Sequence, residues 1–265
     1  MPSRRLADLG GEQVEGHHAV HELLLSGRRQ VRRLWVADDQ IGTGPLVAVV
    51  DLARRMGTPL QLKRPDALAA AARTGAPQGV IAWAEPVRAV PLDGLVRPAA
   101  SGVPPFLLVL DGVTDPGNFG AVLRSAACAG VGGVIVGRHR SAPLTPAAVK
   151  AAAGAVEQVA IAEVPGIAST IAQLTSAGIW TVGLDPSAGD DLWRSGLLDG
   201  PVALVLGSEG KGLSSLVRQR CDALVCIPQA GSLGSLNISA AAAVACFVVA
   251  GRRASAPPPP PTLKG

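Results

Sequence analysis

The chain holds 265 residues, 48% of them hydrophobic and 17% charged, with a mean hydropathy of +0.33. That balance excludes a disordered polymer, and the length suffices for a buried core without disulfide or metal staples. With 24 Lys+Arg against 20 Asp+Glu the net charge is +4 and the pI about 9.2, which permits a polyanionic partner without requiring one.

The longest nearly apolar run, Ile238 to Gly251, is 14 residues, short of the ~18 to 20 that span a bilayer. No apolar h-region follows Met1, so no secretory signal is read. The expectation is a cytoplasmic protein without a membrane partner. Cys128, Cys221, Cys226 and Cys246 contain no CxxC pair, and the histidines lie mostly far from them in sequence, so no metal site is expected. Cys128 and Cys246 sit in alanine-rich stretches and read as buried, reduced thiols.

Residues 1–15 mix Arg4, Arg5, Asp8, Glu12 and Glu15 and read as a flexible N-terminus. Residues 16–97 alternate short apolar and amphipathic runs. They predict a helix around His18–Leu25, a strand at Val31–Val36, a helix at Leu46–Met56 and strands near Leu60–Leu62 and Val80–Trp83, hence a small α/β unit. Residues 98–105, rich in Pro, Gly and Ala, read as a linker.

From residue 106 to 253 the pattern changes scale. Phe106–Val113 is a continuous apolar run of buried-strand type, followed by a helix from about Asn118 to Ala129 and a second buried run, Gly133–Val136. Helices at Thr145–Val156, Ile167–Ala177, Leu213–Cys221 and Leu236–Ala250 then interleave with strands at Val159–Val164, Ile179–Leu184, Val202–Leu206 and Ala223–Ile227. Such alternation predicts a parallel sheet covered on both faces, with pockets at the carboxyl ends of its strands. Residues 254–265, including Pro257–Pro261, read as a solvated polyproline tail.

Three segments fall where a pocket is expected. In the first, Leu110 to Ser125, a buried strand enters the turn Asp115-Pro116-Gly117-Asn118, and Arg124 lies six residues along the following helix. Ordinary turn chemistry accounts for Asp115 to Asn118, but an arginine here can also clamp an anion. In the second, Leu204 to Leu213, glycines at 207, 210 and 212 let backbone pass close to a ligand, and a structural turn explains them about equally well. The spacing matches neither GxxxxGK[ST] nor GxGxxG, which disfavours phosphate-cradle and dinucleotide readings; Glu209 among the glycines is hard to read as incidental. In the third, Cys226 to Ser239, small residues allow close packing, and Ser235 and Asn237 serve equally as helix caps or ligand contacts.

Taken in order, Asp-Pro-Gly-Asn-Phe-Gly-Ala-Val-Leu-Arg-Ser, Leu-Gly-Ser-Glu-Gly-Lys-Gly-Leu and Ile-Pro-Gln-Ala-Gly-Ser-Leu-Gly-Ser-Leu-Asn-Ile-Ser resemble the three motifs of the SpoU (TrmH) family of RNA ribose 2′-O-methyltransferases. Gly16-His17-His18-Ala19-Val20 and Gln78-Gly79-Val80-Ile81-Ala82 are similar to the small domain of the branch that acts on 23S rRNA. The resemblance implies an α/β protein of SPOUT type: a parallel-sheet catalytic domain at 106–253 with a deep C-terminal trefoil knot, preceded at 16–97 by a small ribosomal-protein-like α/β domain that binds substrate RNA. Knots are otherwise rare exceptions among folds.

It further implies S-adenosyl-L-methionine as cofactor, contacted by Gly207, Ile227 and Leu236, and a homodimer whose site draws on both subunits. Arg124 would activate the 2′-hydroxyl, Asn118 and Glu209 would hold the site, and Ser235 and Asn237 would orient arginine or ribose. An arginine pKa above ~12 makes a literal base difficult, which favours Arg124 as an electrostatic stabiliser. The leading expectation is a guanosine of 23S rRNA in the peptidyl-transferase region, with no DNA partner. Alternatives are a tRNA guanosine, an rRNA adenosine as in thiostrepton-resistance relatives, or a non-catalytic RNA-binding protein of the same fold.

Arg28, Arg29, Arg32 and Arg33 form the densest basic cluster and are candidates for RNA contact or for a solvated face. With no Tyr, 4 Trp and 3 Phe, recognition by backbone charge and RNA shape is expected over a broad stacking platform.

Overall fold

A computed structural model of the protein describes residues 7–42, 44–97, 103–231 and 234–255. Two sheets organise it. The smaller contains β1 (Gln13–Glu15), β2 (Val31–Ala37), β3 (Leu60–Lys63) and β4 (Val80–Ala84), in the order β1-β4-β2-β3, with β4 antiparallel to both neighbours. α1 (His17–Ser26) and α2 (Leu46–Arg55) cover one face, where Val14, Leu34, Val36, Val80 and Ala82 meet Val20, Leu23, Val49 and Val50. The short α3 (Pro65–Ala71) partly covers the other through Leu68. α4 (Leu92–Val96) leads toward the second sheet.

That sheet comprises β5 (Phe106–Asp111), β6 (Gly133–Gly137), β7 (Ala160–Val164), β8 (Trp180–Leu184), β9 (Asp190–Asp191), β10 (Val202–Gly207) and β11 (Ala223–Cys226). Its order is β7-β6-β5-β10-β8-β11-β9, and every pairing among the described residues is parallel. The apolar run of β5 is buried throughout because both faces are covered. Phe106, Leu108 and Leu110 share a core with α5 (Pro116–Cys128), α6 (Pro146–Ala152) and α9 (Ile238–Ser255). Leu107 and Val109 face the opposite core, with α7 (Ile167–Ser176) and α8 (Ser215–Arg220). The predicted parallel α/β architecture is therefore present.

Several expectations need correction. Residues 7–15 are not a loose lead-in. β1 pairs with β4, Val87 N–H donates to Gly10 O at 2.8 Å, and Leu144 N–H donates to Leu9 O at 3.2 Å, so this segment bridges the two sheets. Three residues of strand flanked by glycines carry too little periodicity to be read from sequence. The tail expected from residue 254 begins later, since α9 runs through Ser255, and residues 256–265 lie outside the described residues, as do 98–102 of the linker. The helix expected over Thr145–Val156 breaks after Ala152, where Ala153 and Gly154 take φ of 49° and 96°. A side chain at Gly154 would collide with Glu22 of α1, so the break admits the small domain's first helix.

α9 spans 18 residues, longer than the apolar run suggested, and passes a length-and-composition test for crossing a membrane. Its Ala242, Ala245, Cys246 and Val249 stripe is buried against the sheet and α5, and Arg252 and Arg253 at its end donate to backbone carbonyls, including Ser195 O at 2.6 Å and Pro104 O at 2.7 Å. These contacts bury one stripe of the helix against the rest of the fold and leave its outer side exposed. Cys128, expected to be buried, is exposed because it lies on the outer side of the last turn of α5.

Arg29 is likewise not a solvated member of its cluster. It is buried, ion-paired with Glu157 through two hydrogen bonds, and it donates to Gly11 O at 2.9 Å and Glu85 O at 2.8 Å. Glu157 belongs to a 3₁₀ turn of the large domain, so this pair joins the two units. Arg29→Met should lower unfolding free energy by about 3–5 kcal/mol because it leaves the Glu157 carboxylate buried and unpaired. Urea denaturation measures this, and adding Glu157→Leu should recover most of the loss; a single variant as stable as wild type would refute it.

Candidate active site

The site forms where β5 and β10 end side by side, Gly207 pairing with Asp111. After β5 the chain turns at Gly112, whose φ of 85° suits glycine, and enters α5. Asp115 caps that helix by accepting from the Asn118 backbone N–H at 2.7 Å, with Pro116 in the first turn. This cap fixes Asn118 at the helix start, above the sheet. At Gly120, any side chain would overlap the Ala148 carbonyl of α6, so glycine sets how closely the two helices approach.

After β10, residues 208–212 form a tight loop closed by two backbone hydrogen bonds between Ser208 and Gly212, at 2.9 and 3.0 Å. Asp111 holds its far end by accepting from Ser214 N–H at 2.7 Å. A Cβ on Gly207 would lie closer than 3.0 Å to the backbone of Gly212 and Leu213, so the loop folds back over Gly207 only because no side chain is there.

The loop delivers Glu209 to two amides from distant parts of the chain. Glu209 Oε1 accepts from Asn118 Nδ2 and from Asn237 Nδ2, both at 2.8 Å, and Asn237 Nδ2 also donates to Asn118 Oδ1 at 3.1 Å. Asn237 precedes α9, and its Oδ1 accepts from Ser239 N–H at 2.8 Å and Ser239 Oγ–H at 2.6 Å. It thus caps the start of α9 while its amide joins Glu209 and Asn118. Among the described residues only Oε1 of Glu209 is engaged, so Oε2 can accept from an incoming hydroxyl.

Beside this triad lies a cavity of about 860 Å³, of a size to hold a nucleoside-like ligand. Gly207, Glu209, Ile227, Ser235, Leu236 and Asn237 line it, so six of the eight residues singled out from sequence share one wall system, and Asn118 joins them through Glu209. Arg124 does not: it is exposed on α5, about 9 Å along the axis from Asn118, with no polar partner among the described residues. Ser232 and Leu233 of the third motif lie outside the described residues.

Sequence reasoning missed the opposite wall. Asp185, Ser187 and Arg218 line the cavity and form a closed cluster: Arg218 Nε contacts Asp185 Oδ2 at 2.6 Å, and Ser187 N–H and Oγ–H donate to Asp185 Oδ1 at 2.8 and 2.7 Å. Burial raises the Asp185 pKa, but the Ser187 hydrogen bonds and Arg218 outweigh it and hold the carboxyl below its usual range. Residues so far apart in the chain leave no motif.

Comparisons with known proteins agree with this geometry. The SpoU rRNA Methylase family model matches residues 105–247, and the model for RNA 2′-O ribose methyltransferase substrate binding matches residues 13–90. The chain belongs to the SpoU rRNA methylase family. The 23S rRNA (guanosine-2′-O-)-methyltransferase RlmB of Escherichia coli (strain K12) is 39% identical over 233 residues, covering 88% of this chain and 95% of that protein. RlmB of Pseudomonas syringae pv. tomato is 40% identical over 240 residues, covering 88% and 92%. Among solved structures, the SpoU methyltransferase AviRb from Streptomyces viridochromogenes in complex with AdoMet superposes with a TM-score of 0.76 at 27% identity, covering 92% of this chain and 91% of that one.

The free thiols of the chain differ in accessibility. Burial, reinforced by Asp222 and Asp111, pushes the Cys221 thiol up to about 12, and burial alone does the same for Cys246. Iodoacetamide at pH 8 should therefore label the exposed Cys128 well before Cys221 and Cys246, as followed by peptide mass spectrometry. Equal labelling rates would mean that α9 and α8 are not packed as described.

Proposed function

We propose that this protein transfers a methyl group from S-adenosyl-L-methionine to the ribose 2′-hydroxyl of a guanosine in 23S rRNA. The observation that carries this reading is the Asn118–Glu209–Asn237 hydrogen-bond triad set at the mouth of the glycine-walled cavity. The names of the RlmB relatives support the substrate.

The residues present fit the donor. Gly207 leaves a cradle that a Cβ would fill, and Ile227 and Leu236 add apolar lining to the same cavity. When bound, S-adenosyl-L-methionine supplies an electrophilic methyl for in-line displacement. Glu209, its Oε1 anchored by two amides, offers Oε2 to orient the ribose hydroxyl, and Ser235 and Asn237 position the sugar. Arg124 acts as an electrostatic stabiliser of the developing alkoxide, the proton passing to RNA phosphate or water.

Arg124 stands outside the cavity wall of its own chain, which supports a homodimeric enzyme whose site is completed by a second copy. The outer side of α9, with Phe247 53% exposed, offers an apolar surface for that contact. The reading also includes the trefoil knot, and the packing of α9 on β10 and α5 supports it. The small domain, in this reading ribosomal-protein-like, presents the RNA, and the protein works in the cytoplasm, where rRNA is modified.

Ribose-methylation mapping of rRNA from cells with and without the gene tests the assignment. Loss of one guanosine 2′-O-methylation is expected, and an unchanged profile would overturn it.

A further inference from the structure

The face of the small sheet opposite α1 and α2 carries a cluster that the methyl-transfer site does not use. Strand register places Arg33 opposite Trp83 and Trp35 opposite Ile81, so Arg33, Trp35 and Trp83 emerge on one side, and Lys63 of β3 joins them. The two indoles meet edge to face, their centroids 5.0 Å apart. The Arg33 guanidinium carbon sits 3.9 Å over the Trp83 ring and 5.0 Å over Trp35, and Lys63 Nζ lies 4.9 Å over Trp35. α3 covers the Ala37 and Ile81 end of this face, Trp83 packs against that cluster while remaining half-buried, and Arg33 remains exposed.

Three observations separate this cluster from ordinary packing. Among the described residues, the side chains of Arg33, Lys63 and Arg73 have no carboxylate partner, although the Arg73 backbone N–H donates to Glu15, whereas neighbouring Arg32 reaches Glu85. The Trp35 Nε1 nitrogen is buried with no hydrogen-bond acceptor, a cost that a position selected for stability alone tends to shed. Finally, Trp83 and Arg73 line a cleft of about 360 Å³ at the seam between the domains, with Gly11, Glu12, Gln13, Leu144 and Pro146 as its other walls.

The seam leads toward the active site. Leu144 and Pro146 end the segment that leaves β6 through Arg138, His139 and Arg140, all exposed, and Ala142 N–H donates to Val113 O at 2.8 Å, just before α5. Arg140 holds a φ of 60°, a conformation that a non-glycine side chain seldom adopts.

We propose that Arg33, Trp35 and Trp83 form a stacking clamp for unpaired nucleotides of the RNA substrate, with Arg73 and the cleft receiving the strand that continues toward Asn118. The inference rests on the RNA methyltransferase reading and adds the form in which RNA is held. An unstacked base has a π-face that a guanidinium or indole can cover, whereas a paired base in A-form duplex does not expose one. The charge is complementary, since three cations without carboxylate partners face a polyanion. A broad platform was not expected from seven aromatics, and this clamp is local: two of the four tryptophans converge through strand register alone.

The test compares binding of a fluorescein-labelled short single-stranded RNA with that of the same strand annealed to its complement, by fluorescence anisotropy on the full-length protein. Arg33→Ala and Trp83→Leu should weaken single-strand binding by about 5- to 150-fold, the range for loss of one stacked base, should weaken duplex binding far less, and should leave S-adenosyl-L-methionine affinity unchanged. Arg33→Lys keeps the charge but not the planar group, so it should behave like Arg33→Ala. Full recovery by Arg33→Lys, or wild-type affinity in Arg33→Ala, would overturn the clamp. Arg33 is exposed and its variants should fold, which covers the case in which Trp83→Leu does not. If wild-type protein methylates rRNA while these variants show unchanged KM for RNA, the clamp fails and the methyltransferase reading stands. If the wild type binds unpaired RNA by these residues but methylates no rRNA, the reverse holds.

Discussion

Gly207→Ala is expected to remove most cofactor binding while the protein stays folded. The added methyl would meet the backbone of Gly212 and Leu213 at less than the 3.0 Å that real Cβ contacts respect, and neither neighbour is the end of a flexible side chain. The loop must therefore shift, and it is held at both ends: by the Ser208–Gly212 hydrogen bonds and by Ser214 N–H on Asp111. Overpacking of this kind costs about 1–3 kcal/mol, which becomes about a 5- to 150-fold loss of affinity if the cost falls on the bound state. Glu209 rides on the same loop, so methyl transfer should fall further than binding. Isothermal titration with S-adenosyl-L-methionine reads the first effect and thermal unfolding monitors the fold. Gly189→Ala, where a Cβ would meet nothing within 4 Å, is the matched control. Wild-type affinity in Gly207→Ala would mean that the cofactor does not use this cradle.

Arg124→Ala should lower kcat by about 10²- to 10³-fold, as removal of one preorganised oxyanion-stabilising donor typically does, with much smaller changes in cofactor affinity. The residue is exposed and carries no ion pair among the described residues, so stability should be nearly unaffected. The Lys variant separates two roles. If Arg124 stabilises charge, Arg124→Lys retains part of the rate and the shape of the pH profile. If it takes the proton itself, lysine, with a reference pKa of ~10.4, should bring a new rise in rate within the measurable alkaline range. Single-turnover methylation across pH distinguishes them, and a kcat for Arg124→Ala within threefold of wild type would remove Arg124 from the chemistry.

The catalytic sheet was legible in sequence because buried parallel strands appear as uninterrupted apolar runs, and Phe106–Asp111 is one. Elements with little periodicity were not. α3 has a single buried residue, Leu68, in seven, and β1 and β9 span three and two residues. Within the site, Asn118, Glu209 and Asn237 stood out through motif resemblance, and the structure adds their reason for meeting: one carboxylate oxygen shared by two amides. Asp185, Ser187 and Arg218 carried no such signal, since a hydrogen-bonded wall assembled from a strand end and a helix leaves no spacing rule to follow. The Arg28 to Arg33 cluster shows the opposite error. Charge density alone grouped Arg29 with its neighbours, whereas burial assigns it to Glu157 and leaves Arg33 to the indoles.

The Arg29–Glu157 pair and the core that the two units share through α1 and α6 have a geometric consequence. A substrate module on a loose tether would let one enzyme sample targets at many spans. Here the span between the small sheet's open face and the end of β5 is set once, when the chain folds. With a strand held on that face as proposed, the choice of nucleotide becomes a matter of measurement: among riboses of identical chemistry, the one at the right distance from the held strand is the one modified.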